Sequence, residues 1–276
     1  MADHSSKKNI ISQREDWLDG KNENLTVEEK KTKALVRKNI NLDISPRCTL
    51  MCPRCRRQEY IDAGIPIPGH DLSITDFKKI LKHFRRILFC GQVSDPIIHP
   101  KFHEFLELSV LPIYSPSHIT VATAASHRSI LWYKKAFELN PEAVWRFCID
   151  GLPEESCLYR INQDGEKLFE VMKMGVSMGI NVEWQYIVFS YNEDHIEEAK
   201  KMALDNNILF LTMYSSRWKG VTRGEDPYQP SNKDNYISNQ YFDSGKYNKR
   251  NEQSKNNFPE EIWLNDSTLG PWSWEN

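Results

Sequence analysis

The run NINLDISPRCTLMCPRC, residues 39–55, joins a strand-like stretch at 39–44 to a loop holding three of the chain's six cysteines. Cys48, Cys52 and Cys55 fall within eight positions, with three residues inside the first pair and two inside the second. The chain starts MADHSSKKNIISQRED, with no apolar signal core, so a cytoplasmic setting is expected. In a reducing compartment, clustered cysteines bind metal or do redox chemistry more often than they form structural disulfides. On the residues alone three readings compete. Structural zinc asks for four N or S ligands in paired clusters, yet Cys90, Cys148 and Cys157 are scattered singles. A thioredoxin-like dithiol would use Cys52-Pro-Arg-Cys55 and leave Cys48 without a role. An iron–sulfur cluster held by three thiolates would use all three and leave one iron open to a substrate or cofactor. The surrounding PRCRRQE is too polar for a plain core.

Outward from this loop the chain alternates. A helix is expected from Ser73 through DFKKILKHFRR, with Phe77, Ile80, Leu81 and Phe84 as its apolar stripe. Strand ILFCG (87–91) precedes a helix begun at Pro100, and HITVAT (118–123) precedes a helix over 128–139. VWRFCI (144–149) is followed by a helix over 165–178. NVEWQYIVF (181–189) leads to DHIEEAKKMALD and then ILFLTM (208–213). Six strands alternating with helices imply parallel pairing and right-handed crossovers. The count falls short of the eight of a full barrel, so the expected α/β fold is a partial (β/α)6 barrel of TIM type, with a doubly wound sheet as runner-up.

Bulk properties agree with a globular protein. The 276 residues are 39% hydrophobic and 11% aromatic, and the formal charge is −2. With a pI near 6.5, neither nucleic acid nor an anionic membrane is indicated as a partner. No apolar run is long enough to span a bilayer. Three parts are expected: a polar N-terminal extension (1–37), the barrel (38–218), and a C-terminal polar and aromatic tail (219–276). The tail is Asn-, Ser- and Lys-rich and reads as loosely packed. Its Trp263, Trp272 and Trp274, with Tyr236, Tyr241 and Tyr247, are candidates to cover the barrel's open side.

Cys48-Thr-Leu-Met-Cys52-Pro-Arg-Cys55 resembles the CxxxCxxC signature of radical S-adenosylmethionine (SAM) enzymes. The resemblance implies a 4Fe–4S cluster on the three cysteines, with SAM chelating the open iron. It also implies reductive cleavage of SAM to a 5′-deoxyadenosyl radical that takes hydrogen from substrate. Cys90-Gly91-Gln92-Val93-Ser94-Asp95-Pro96 is similar to the family's glycine-rich segment, with Ser94 where a second glycine is usual. That likeness implies cofactor contacts from Gly91, Gln92, Ser94 and Asp95. A Cβ at position 91 is expected to crowd the cofactor, and Ser94 to take a turn a glycine often takes. Thr123-Ala-Ala-Ser126 resembles a TNG-type turn, and Cys148-Ile-Asp150-Gly151 the SIDG segment with Cys148 in place of Ser. These add Thr123, Ser126 and Asp150 as cofactor residues, and Gln185, on the fifth strand between Trp184 and Tyr186, is chosen as facing the barrel interior. Arg160 and Arg217 are weaker candidates for catalytic or carboxylate-pairing roles. The branch most resembled carries SPASM or twitch domains, but no cysteine follows Cys157 to hold an auxiliary cluster. Expected partners are a small-molecule or peptide substrate and an electron donor such as flavodoxin or ferredoxin. The alternative is a non-catalytic iron–sulfur scaffold derived from this fold.

Overall fold

The computed structural model describes residues 39–114 apart from Gln92, 117–213 and 226–235. The N-terminal extension, Arg217, Gln92 and the tail aromatics named above lie outside the described residues. Six strands form one sheet: β1 (Asn39–Leu42), β2 (Arg86–Phe89), β3 (His118–Thr123), β4 (Val144–Cys148), β5 (Asn181–Ile187) and β6 (Leu209–Met213). Every pairing is parallel. The order is β1-β2-β3-β4-β5-β6 without reversal, which excludes the doubly wound runner-up, whose strand order turns back at a switch point. A parallel sheet that always steps the same way curls into a partial barrel.

The helices are α1 (Arg56–Asp62), α2 (Ile74–His83), α3 (Phe102–Ser109), α4 (Ile130–Leu139), α5 (Gly165–Ser177) and α6 (Ile196–Asp205). Several starts are set by side-chain caps. Ser73 accepts from Asp76 N at 3.0 Å, Ser129 from Trp132 N at 3.2 Å, and Asp164 from Lys167 N at 2.9 Å. The Ser129 cap moves the start of α4 to residue 130 rather than 128. Helix α1 is not foreseen from the sequence, because it buries no residue and so carries no apolar period.

Strand alternation divides the sheet into two faces. Phe89, Val121, Trp145, Phe147, Trp184 and Phe210 share the face that meets the helices. There Trp145 packs edge-on against Phe137 of α4 at 5.1 Å, and Trp184 lies 5.4 Å from Phe169 of α5. Phe77 of α2 and Phe105 of α3 approach to 4.5 Å. This sheet–helix layer is the hydrophobic core. The opposite face, toward the barrel interior, carries Asn41, Leu88, Thr120, Arg146, Cys148, Glu183 and Gln185. Its polarity suits a ligand-filled interior better than a packed one.

Four strands end sooner than their apolar runs. Cys90 N still donates to Leu42 O at 3.2 Å, Ile149 N to Gln185 O at 3.2 Å, and Val188 N to Met213 O at 3.1 Å. In β2, β4 and β5 one such ladder bond carries the chain past its strand before it turns into the loops at the C-terminal mouth.

Candidate cluster and cofactor site

The cysteine loop leaves β1 at that mouth and is tied down on both sides. Met51 N donates to Ile161 O at 3.1 Å, and Asn162 Nδ2 donates to Thr49 O at 3.2 Å. Asn162 holds φ +74°, a left-handed conformation that asparagine tolerates better than most residues. On the other side Arg57 donates to Pro46 O and Val93 O, and Asp95 N to Arg47 O. Arg47 pairs with Asp71.

None of the three cysteines is in a disulfide, and all three are partly exposed. Cys55 immediately precedes α1, and its N–H donates to Cys52 O at 3.0 Å. Cys48 and Cys52 pack against Leu50, Ala124 and Cys148, and Cys52 also lies against Tyr159 and Phe189. Burial, then the nearby Asp95 charge, push the Cys48 thiol up to about 12, so metal binding there must displace a proton. Among the described residues no three His, Cys, Asp or Glu side chains converge as ligands of one metal ion. A 4Fe–4S cluster does not ask for that, since each thiolate meets a different iron. Three reduced thiols with part of their surface open, on one short loop, fit such a cluster by donor chemistry. Cys148 is not the isolated single that its sequence position suggests. It is buried among the loop cysteines, and burial pushes it up to about 12 as well.

Next to the loop, the turn after β2 is held by its own chain. Asp95 is buried, and its carboxylate accepts from Thr123 Oγ1 (2.8 Å), Ala124 N (2.7 Å), Ala125 N (2.9 Å) and Ile97 N (3.2 Å). Burial raises its pKa, and the four donors pull against that rise. Asp95 and Thr123, singled out for cofactor contact, therefore lock the ends of β2 and β3 together. Ser94 Oγ donates to Asp43, whose other oxygen accepts from Val93 N at 3.0 Å. Among the described residues only Asn162 and Asn207 are non-glycine residues with positive φ, so Ser94 does not take the glycine-like turn expected of it. Gly91 is needed by the chain itself, whatever it contributes to a cofactor. A Cβ there would lie 1.9 Å from the Ser94 carbonyl oxygen, so the crowding is with the chain itself.

At the ends of β4 and β5, Asp150 is buried and pairs with Arg160 at 2.7 Å. Its other oxygen accepts from Ile187 N at 2.9 Å, and Tyr191 donates to its backbone carbonyl at 2.6 Å. The Arg160 guanidinium is close enough to interact electrostatically with Cys148 and Cys52. Ser126 Oγ accepts from Asp164 N at 2.8 Å. Gln185 pairs in register with Cys148 on the interior face, while Trp184 and Tyr186 lie on the helix side. Below it, Arg146 and Glu183 form a 2.7 Å ion pair across β4 and β5. A cavity of about 450 Å³ opens between α1, the 68–72 loop and the end of β1, lined by Asp43, Ser45, Arg56, Tyr60, His70 and Val93 among others.

Three residues outside the expected set shape this mouth. Asp43 is one. Gln163 bridges Ala124 O (2.6 Å) and Cys148 O (3.0 Å), tying β3 to β4. Asp226 lies 2.6 Å from Arg54, inside the cysteine motif. Asp43 had a signal, a carboxylate at a strand end three residues before a proline. Gln163 and Asp226 had none, because their partners are distant in sequence.

No family model matches the chain, and no curated protein matches it in sequence. Solved structures do match in fold. The structure titled anSMEcpe with bound AdoMet superposes with a TM-score of 0.54 at 15% identity, over 70% of this chain and 54% of that one. SuiB of Streptococcus suis gives 0.54 at 11% identity over 83% and 54%. SuiB bound to its precursor peptide SuiA gives 0.53 at 13% identity over 75% and 51%. These are structures of radical SAM enzymes, and the chain shares their partial-barrel fold while spanning about half their length.

Proposed function

We propose that the chain is a radical SAM enzyme that binds a 4Fe–4S cluster through Cys48, Cys52 and Cys55, and SAM beside it at the barrel mouth. The observation that carries this reading is three thiols, none in a disulfide, on a single loop at the C-terminal mouth of a six-stranded parallel partial barrel. Its fold is matched by a structure with AdoMet bound. When bound, the cluster and SAM together supply a 5′-deoxyadenosyl radical able to break an unactivated C–H bond.

The protein's share is to bind, orient and exclude water. The Asp95 clamp fixes the turns after β2 and β3 as one rigid wall, so their backbone groups face a ligand in a set geometry. Arg160, held by Asp150, is a fixed cation beside the cysteine loop, suited to the carboxylate of the methionine moiety or of the substrate. The interior face below, with Gln185, Arg146 and Glu183, supplies hydrogen-bonding groups for a polar substrate. A peptide or a polar metabolite is the substrate class, and the SuiB structure with its precursor peptide supports the former. A low-potential donor such as flavodoxin or ferredoxin would deliver the electron, and a cytoplasmic setting would keep the thiols reduced. No helix among the described residues is long and apolar enough to cross a membrane.

The test is anaerobic reconstitution of the full chain. About four irons and four sulfides per chain are expected, with a broad visible absorption. Cys48, Cys52 and Cys55 changed together to Ala should abolish both, and reduction in the presence of SAM should yield 5′-deoxyadenosine. Zinc in place of iron would overturn the cluster. A full cluster that gives no 5′-deoxyadenosine would replace the enzyme with the scaffold.

A further inference from the structure

Arg54 sits between two of the cysteines, and its guanidinium lies 2.6 Å from Asp226, far along the chain. The pair is lopsided: the Arg54 side chain is 49% exposed, the Asp226 side chain 1%. An exposed arginine gains little from a surface partner. A carboxylate removed from water depends far more on its partners, here Arg54 and the Tyr228 N–H, which donates to Asp226 Oδ1 at 3.0 Å. Residues 226–235 are tied down independently of that pair. Ser190 N donates to Tyr228 O at 3.0 Å, and Glu193 accepts from Ser231 N at 2.8 Å, Asn232 N at 3.1 Å and Asn235 Nδ2 at 3.1 Å. Tyr228 then meets Tyr159 edge-on at 5.1 Å. Tyr159 stacks on Phe189 at 4.2 Å, and this aromatic pair is what Cys52 packs against.

We propose that Asp226 and Tyr228 are positioning residues of the cysteine loop, and that the segment carrying them controls how readily a cluster held there is lost. Asp226 fixes the Cys52–Cys55 backbone through Arg54, and Tyr228 backs the aromatic wall on the Cys52 side. The inference rests on the cluster reading above. Residues 226–235 belong to the part of the chain read from sequence as a loosely packed tail. Their role here is structural support at the metal site, distinct from covering the barrel opening.

The experiment uses the full chain, reconstituted anaerobically, with cluster loss to a strong iron chelator followed by visible absorbance. Asp226→Asn and Arg54→Gln should each take up as much iron as the wild type. Each should then lose it about five- to tenfold faster, the scale of one charge-assisted hydrogen bond. The double variant should be no faster than the worse single, because no charge is then left buried without a partner. Tyr228→Ala should also speed the loss. Arg54 is half exposed and stays solvated without its partner, so Asp226→Asn should leave the thermal midpoint nearly unchanged, which separates positioning from a general loss of stability. Wild-type rates in both single variants, or singles whose effects multiply in the double, would overturn the proposal. A wild-type chain that takes up no iron would overturn the cluster reading and this inference with it.

Discussion

At the scale of single residues, the mouth of the barrel is held by short side chains that bond to their own backbone. Asp95 is the clearest case. Asp95→Asn keeps the shape but sets an amide NH2 against backbone N–H donors, and a loss of about 3 kcal/mol is expected in a urea titration. Unchanged stability would show that the clamp is not needed. Gly91→Ala should cost about 1–3 kcal/mol by forcing the Ser94 carbonyl aside, so stability and SAM binding should fall together. Cofactor affinity lost at full stability would instead favour direct crowding of the ligand. A pH effect belongs here too. His195 Nδ1 lies 2.7 Å from Glu155, and that hydrogen bond raises its pKa above 6.5. A raised folded pKa contributes stability that is present below 6.5 and lost as pH climbs through the raised value. The melting difference between wild type and His195→Gln should therefore shrink from pH 6 to pH 8, and a difference that grows would reverse the assignment. The cysteine motif was legible in sequence because spacing alone reports its chemistry. Gln163 acts through partners that only folding brings near, and no pattern in the sequence marks it.

At the scale of elements, β1, β3, β4 and β5 were legible because bulky apolar residues alternate with polar ones along them, and β2 and β6 because they are short apolar runs in the β/α rhythm. Gln185 shows how this works: its neighbours Trp184 and Tyr186 are drawn to the helix side, which leaves the amide inside. Helix α1 was not legible, since it buries nothing. The strand ends were overread because an apolar run continues past the last full ladder pair into the mouth. The same alternation puts Arg146 and Glu183 together on the interior face, with side chains 14% and 6% exposed. Removing one partner strands a charge in a dry place. Arg146→Met should cost about 3–5 kcal/mol, and Arg146→Met with Glu183→Leu should recover most of it, as judged by thermal or urea unfolding. A double variant as unstable as the single would mean that the pair's other contacts matter more than its charges.

At the scale of the whole molecule, the core and the candidate site lie on opposite faces of one sheet. The aromatic layer that holds the protein together is built from β-strand residues and α2–α5, whereas the thiols stand on a loop at the mouth. Replacing Cys48, Cys52 and Cys55 with Ala should therefore leave far-UV circular dichroism unchanged and shift the melting midpoint only slightly. Collapse of the fold in the triple variant would show that the loop is part of the core. Strand count and alternation made the barrel legible from the sequence. What it did not reveal was that a distant stretch returns to the cysteine loop, because an Asp–Arg pair so far apart leaves no periodic trace.

That return has a consequence in time. A ribosome makes the cysteine loop early and Asp226 late, so roughly 170 residues must be added between them, about ten to thirty seconds at typical rates. During that interval Arg54 has no carboxylate to grip and Tyr159 has no tyrosine at its edge. On the cluster reading, a nascent chain would present its thiols on an unbraced loop, open to whatever delivers iron and sulfide, and would be braced only once residues 226–235 had emerged. That reading would assign maturation and retention to different moments of the protein's life.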